Sequence, residues 1–148
     1  MVSINNFKKL SFLVYGLGKT GLSVINFFKK NGIKNYKVWD DKNKNLYKKF
    51  RPNNLAKAVK ECNYIILSPG ISLKKSKNII KIQKYKNKII TDIDIVFLFK
   101  RFYKSIVVTG TNGKSTTCKI IEHVLKKNGF KVLLGGNIGN PILNLKIT

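Results

Sequence analysis

Residues 110–116 read Gly-Thr-Asn-Gly-Lys-Ser-Thr, between an apolar run at 105–109 and a segment at 117–128 whose apolar residues recur at helical spacing. Strand, glycine turn and helix in that order make an α/β fold the expected class. Such a turn aims backbone N–H groups and the positive end of a helix dipole at one point, where phosphate fits. Lys114 supplies a mobile charge, and Ser115 a hydroxyl suited to Mg²⁺. The ligand implied for Gly110, Thr111, Asn112, Gly113, Lys114, Ser115 and Thr116 is a nucleoside triphosphate. The common phosphate-loop pattern has a glycine where Val108 stands, and this loop opens with Gly110 instead. An ordinary glycine turn beside a surface lysine is the bland alternative. The agreement of strand, loop and helix signals weighs against it.

A second strand-turn-helix unit lies near the start. Residues 11–15 read as a strand and lead into Gly16-Leu17-Gly18-Lys19-Thr20-Gly21, a G-x-G-x-x-G turn. The following helix places Gly21, Val24, Ile25 and Phe28 on one face. Asn31-Gly32 ends it, and a strand at 36–39 closes on Asp40, about twenty residues after the glycines, which is the layout of a dinucleotide-binding βαβ unit. The same geometry suits any diphosphate at a helix N-terminus, so the identity of the nucleotide stays open.

The remaining pattern fits between these units. A polar stretch at 41–51 precedes a short helix at 53–61 and a strand at 64–67, which stops at Ser68-Pro69-Gly70-Ile71. That turn falls at the carboxyl end of a parallel strand, the edge where open α/β sheets bind ligands, although Pro-Gly is also simply a good turn. A basic helix is expected at 74–86 and a fourth strand at 88–90. The helix at 92–102 carries Ile95, Leu98, Phe99 and Phe102 on one face and Asp92 and Asp94 near its start, where they suit the dipole. The boundary is placed near Thr91: a Rossmann-like domain at 1–91, then the beginning of a second, nucleotide-binding α/β domain at 92–148, with the 92–102 helix packed in the second. Past the phosphate loop, Ile120, Ile121, Val124 and Leu125 form the expected buried side of a helix and His123 lies on its surface. A strand at 131–134 leads into a glycine-rich turn containing Asn137, whose amide can donate and accept. No Asp or Glu follows Glu122.

Composition removes several alternatives. Thirty Lys and Arg against six Asp and Glu give a formal charge of +24, which ordinarily suggests a nucleic-acid or membrane-surface partner. Here the lysines are scattered through every segment among abundant Asn and Ile, as A- and T-rich codons would produce, so no specific nucleic acid is expected. Cys62 and Cys118 stand without partners at metal-ligand spacing and read as buried thiols. No apolar run approaches the twenty residues of a membrane span. The first ten residues, read as leading straight into a strand, lack a secretory core. A soluble, cytoplasmic protein is expected.

Taken in order, Gly16-Leu17-Gly18-Lys19-Thr20-Gly21, Ser68-Pro69-Gly70-Ile71, Asp92-Ile93-Asp94, Gly110 to Thr116 and Gly136-Asn137-Ile138-Gly139 resemble the Mur ligase family along the whole chain. The spelling of the last two motifs is similar to the D-glutamate-adding branch. The resemblance implies an ATP- and Mg²⁺-dependent amide ligase of peptidoglycan synthesis that joins D-glutamate to UDP-N-acetylmuramoyl-L-alanine through an acyl phosphate. It implies a UDP-substrate site at Gly18, Lys19, Thr20, Asp40, Ser68, Pro69, Gly70 and Asn137, with Asp40 near the uracil. It further implies ATP at residues 110–116 with Lys114 as the catalytic residue on the phosphates, Mg²⁺ on Ser115, and a monomer working on small molecules away from membranes. Lys19 stands where the family commonly has a neutral aliphatic residue, and Asp94 where Glu is usual. The family's later metal-binding Glu and His, its carbamylated Lys and its amino-acid-binding domain would lie beyond Thr148, so the chain is expected to be the N-terminal piece of a three-domain ligase, inactive by itself. Competing readings are another Mur-type ligase, a nicotinamide-dependent oxidoreductase resting on the first glycine turn and Asp40, and a basic nucleic-acid-binding module.

Overall fold

A computed structural model describes residues 4–71, 78, 82–99, 104–136 and 139–145. Four parallel strands form one sheet in the order β2-β1-β3-β4: β1 Phe12–Tyr15, β2 Tyr36–Trp39, β3 Tyr64–Leu67 and β4 Ile89–Ile90. Val14 lies opposite Val38 on one side and Ile66 on the other, so β1 is the central strand and is buried throughout. Helices α1 Ile4–Lys8, α2 Lys19–Lys30, α3 Leu55–Glu61, α4 Asp92–Phe99 and α5 Lys114–Lys127 complete the regular elements among the described residues, with 3₁₀ turns at Lys48–Phe50, Lys86–Lys88 and Ile142–Asn144.

The period-two alternation of strand side chains divides the core into two layers. Phe12, Val14, Tyr36, Val38 and Ile66 face α2, whose Val24, Ile25 and Phe28 come from the helical stripe visible in the sequence. Leu13, Tyr15 and Ile65 face the other way, onto Leu55 and Val59 of α3. Helices therefore cover both sheet faces, as near-continuous apolar strands require. Helix ends are satisfied locally. Asn54 Oδ1 accepts from Lys57 N–H at the start of α3, and the Lys88 ammonium donates to the carbonyls of Lys60 and Cys62 at its end. Thr91 and Asp94 cap α4 reciprocally, the Asp94 carboxylate accepting from Thr91 N–H and Oγ1–H while Thr91 Oγ1 accepts from Asp94 N–H, the arrangement of a capping box.

Several expectations change. The N-terminus does not run straight into β1. Residues 4–8 form α1, which brings Phe7 into a tilted aromatic contact with Phe12 at 4.5 Å between ring centroids. α4, assigned by sequence to the second domain, packs on the first sheet: Ile95 and Val96 join Phe12, Val14 and Val24 in one buried cluster. Leu143, from the 3₁₀ turn near the end of the chain, is buried there too. The runs at 105–109 and 131–134 are not strands. A strand needs a hydrogen-bonded neighbour, and neither run finds one among the described residues. α5 starts at Lys114 rather than at 117. Its expected buried side is largely uncovered, with Ile120 58% and Val124 50% exposed. Cys62 is buried as expected, whereas Cys118 is only half-buried. The helix expected at 74–86 lies mostly outside the described residues, as do Phe102 and Asn137.

Candidate functional site

From β1 the chain crosses to β2 on one side, and β3 then pairs on the other side of β1. The carboxyl ends of β1 and β3 therefore flank the point where strand order reverses, which is where open α/β sheets hold ligands. Two turns meet there. Gly16 follows β1 with φ 98°, and the Ser68 hydroxyl after β3 donates to the Gly16 carbonyl at 2.9 Å. Ser68 N–H donates to the Tyr15 carbonyl at 3.0 Å and Ile71 N–H to the Ser68 carbonyl at 3.0 Å, which closes the Ser-Pro-Gly turn. Ser68 is buried, while Pro69 and Gly70 are exposed.

The three glycines of the first turn separate by role. A Cβ at Gly16 would stand 2.9 Å from the Ser68 Cβ, and one at Gly21 would overlap the Gly16 carbonyl oxygen, so both positions must be bare for the turn, helix and strand to close together. A Cβ at Gly18 would meet nothing within 4 Å. Packing inside the protein does not call for that glycine. Gly18 is also the N-cap of α2 and provides no side-chain cap, so the first-turn N–H groups of this twelve-residue helix face outward with the dipole behind them. The exposed Lys19 and half-buried Thr20 begin the helix beside this opening.

Asp40, directly after β2, is 7% exposed. Its Oδ2 accepts from Leu17 N–H at 2.7 Å, and its Oδ1 from Lys42 and Asn43 N–H at 2.8 and 2.7 Å. Burial pushes this carboxyl up, but the three N–H donors, of Asn43, Leu17 and Lys42, outweigh it and hold Asp40 below its ordinary value. Three of roughly four acceptor positions on the carboxylate are thus filled from the backbone. Asp40 ties the glycine turn to the turn after β2. This filling also weakens the oxidoreductase reading, which needs Asp40 free to accept from a ribose hydroxyl.

Sequence reasoning passed over the residues that brace this corner. The Arg51 guanidinium lies over the Trp39 ring, 3.8 Å from its centroid, and its Nη1 donates to the Asp40 carbonyl at 3.0 Å. Asp41 accepts from Trp39 Nε1 and Asn78 Nδ2, both at 3.0 Å, and from the hydroxyl of the fully buried Tyr15. The one available signal was compositional: Trp39 is the single tryptophan, and Arg51 is one of two arginines among the thirty cationic residues.

In the later loop, Gly110 and Gly113 adopt φ 141° and 76°, conformations that favour glycine. Gly113 is the N-cap of α5 and has no side-chain cap. The Lys114 ammonium folds back to donate to the carbonyls of Gly110 and Thr111. Thr111, Asn112, Ser115 and Thr116 are exposed. An open helix N-terminus, a bare glycine cap and an adjacent lysine and hydroxyl form a donor set suited to a triphosphate with Mg²⁺. The structure thus gathers Gly18, Lys19, Thr20, Asp40 and Ser68 at one sheet edge, while residues 110–116 form a separate loop and first turn at the start of α5. His123 is exposed, as the sequence suggested.

The family model for the Mur ligase MurD-like, N-terminal domain matches residues 10–91. The chain belongs to this family. It is 43% identical to the UDP-N-acetylmuramoylalanine--D-glutamate ligase of Wolbachia sp. subsp. Brugia malayi (strain TRS), over 98% of its own length and 31% of the relative's. The ligases of the same name from Buchnera aphidicola subsp. Schizaphis graminum (strain Sg) and Rickettsia prowazekii (strain Madrid E) are 42% and 38% identical, over 97% of this chain and 34% and 33% of theirs. This MurD-like chain therefore spans about a third of the length of the curated relatives it matches. Among the described residues, no helix is long and apolar enough to cross a membrane, and no group of three or more His, Cys, Asp or Glu could hold a metal ion.

Proposed function

We propose that the chain is the amino-terminal part of an ATP-dependent amide ligase that adds D-glutamate to UDP-N-acetylmuramoyl-L-alanine in peptidoglycan synthesis. The observation that carries this reading is the open α2 N-terminus at Gly18 facing the Ser68 turn at the β1/β3 switch point, within the segment that matches the MurD-like family. Residues 1–91 are read as the UDP-substrate domain and 92–148 as the beginning of the ATP-binding domain, with α4 and Leu143 packed back on the first core. The first-turn N–H groups of α2, with Lys19 and Thr20, take the diphosphate. Asp40 sets the turn that receives the uracil, Ser68, Pro69 and Gly70 line the opposite wall, and Asn137 belongs near both substrates. The working protein is a cytoplasmic monomer on this reading.

Residues 110–116 hold ATP, with Lys114 released from the loop carbonyls to the phosphates and Ser115 offered to the metal. Mg²⁺, when bound, neutralises charge that develops on the transferred phosphoryl group. Lys114 adds a positive charge at the same place. The substrate carboxylate oxygen displaces ADP from the γ-phosphorus. The D-glutamate amine then attacks the acyl carbon, phosphate leaves with the C–O electron pair, and the amine proton goes to solvent or a base.

Titration calorimetry of the 148-residue chain with UDP, alongside phosphate release from ATP with and without D-glutamate, tests both halves. UDP binding without D-glutamate-dependent turnover is expected, since catalysis needs all reactants held together with water excluded. No UDP binding would refute the site, and turnover would refute the division of labour.

A further inference from the structure

We propose that Arg51 is a specificity-positioning residue for the nucleobase, acting through the turn that follows β2; this rests on the UDP reading of the same sheet edge. Three observations converge on that turn. The Asp40 side chain accepts from the N–H groups of Leu17, Lys42 and Asn43, so the glycine turn and the β2 turn are tied together. The Asp40 carbonyl is held separately, by Arg51 Nη1 at 3.0 Å. The Arg51 guanidinium is itself fixed over Trp39, whose indole N–H is tied to Asp41, and Asp41 is anchored to the buried Tyr15. Arg51 thus clamps the strand end from two directions, by stacking on one residue and bonding to the next.

The chemistry requires arginine. A planar guanidinium stacks on an indole and donates from its edge at the same time, whereas a lysine ammonium is a point charge without a face. The clamped segment is the one whose backbone must meet a base: it lies at the carboxyl edge beside the Gly18 opening, so a nucleotide whose diphosphate sits on α2 directs its nucleoside toward the β2 end. A base edge is read by a few donors and acceptors in fixed places, and a loose turn would lose that reading while the diphosphate contacts persisted.

The test is titration of the 148-residue chain and its variants Arg51→Ala and Arg51→Lys with UDP and CDP at one fixed salt concentration, with thermal melting in parallel. Arg51→Ala is expected to bind UDP roughly tenfold more weakly, the effect of one lost charge-assisted contact. CDP affinity is expected to stay the same, so that discrimination between the bases collapses. Arg51→Lys is expected to recover less than half of the loss, and millimolar methylguanidinium to restore UDP binding to Arg51→Ala. Equal losses for UDP and CDP accompanied by a lowered melting temperature would show a merely structural residue and overturn the proposal, as would unchanged UDP affinity in Arg51→Ala. Absence of UDP binding by the parent chain would instead overturn the underlying UDP reading, and the proposal with it.

Discussion

Replacing Asp40 by Asn changes one heavy atom of a buried side chain and removes its charge, so its cost can be worked from three hydrogen bonds. The best orientation of the amide leaves its oxygen with the N–H groups of Lys42 and Asn43 and turns its NH₂ toward Leu17 N–H, donor against donor. A buried donor left without an acceptor costs about 1–3 kcal/mol. The two surviving bonds lose charge assistance, roughly half their strength, for about 1 kcal/mol more. Asp40→Asn is therefore expected to lose about 2–4 kcal/mol of unfolding free energy at pH 7, a large share of the roughly 5–15 kcal/mol available to a domain. Urea denaturation measures the difference. Its pH dependence follows from the lowered carboxyl: the stabilisation is complete above the ordinary value of 3.8 and is lost as pH falls through the lower folded value. The gap between parent and variant should stay constant from pH 8 to about 5 and narrow below about pH 4. Uridine nucleotide binding should weaken more than adenine nucleotide binding, because Leu17 belongs to the first glycine turn. A gap under about 0.5 kcal/mol at neutral pH, or one that widens on acidification, would refute this account.

Other substitutions probe the remaining elements. Gly21→Ala drives a methyl into the Gly16 carbonyl and should cost at least about 3 kcal/mol or prevent folding, while Gly18→Ala should melt within about 0.5 kcal/mol of the parent yet lose UDP binding, as read by paired melts and titrations. Lys114→Ala should abolish ATP binding and leave UDP binding and melting unchanged, since its contacts are to its own exposed loop; equal ATP affinity would remove the lysine from the site. Asp92 is 8% exposed, and burial pushes its carboxyl above the ordinary value despite the N–H groups of Asp92 and Ile93. Its charge therefore opposes folding at neutral pH, and stability is regained as pH falls through the raised value. Asp92→Asn should be at least as stable as the parent at pH 7, with the difference shrinking as pH falls through the raised value and gone below about pH 4; a marked loss at pH 7 would reverse the sign of this argument.

Local information determined a good deal by itself. The order of apolar runs, glycine turns and helical stripes was enough to place β1, α2, β2 and β3 within a residue or so, because each depends on periodicity and punctuation over a dozen positions. The same information marked the two helix N-termini as candidate phosphate sites, since a glycine cap and an adjacent lysine are written consecutively. Tertiary structure decided the rest. Only the folded turn, with Ser68 against Gly16 from 52 positions away and the Gly16 carbonyl against Gly21, shows that Gly16 and Gly21 are demanded by packing and that Gly18 is not. Only the fold reveals that Asp40 already serves three backbone donors and that Arg51 grips its carbonyl from eleven residues on. Helix period alone could not tell that Ile95, Val96 and Leu143 join the first core while Ile120 and Val124 stay half-exposed. An apolar stripe specifies which face of a helix seeks cover; which surface covers it depends on contacts far apart in the chain, and those are set only when the whole chain has packed.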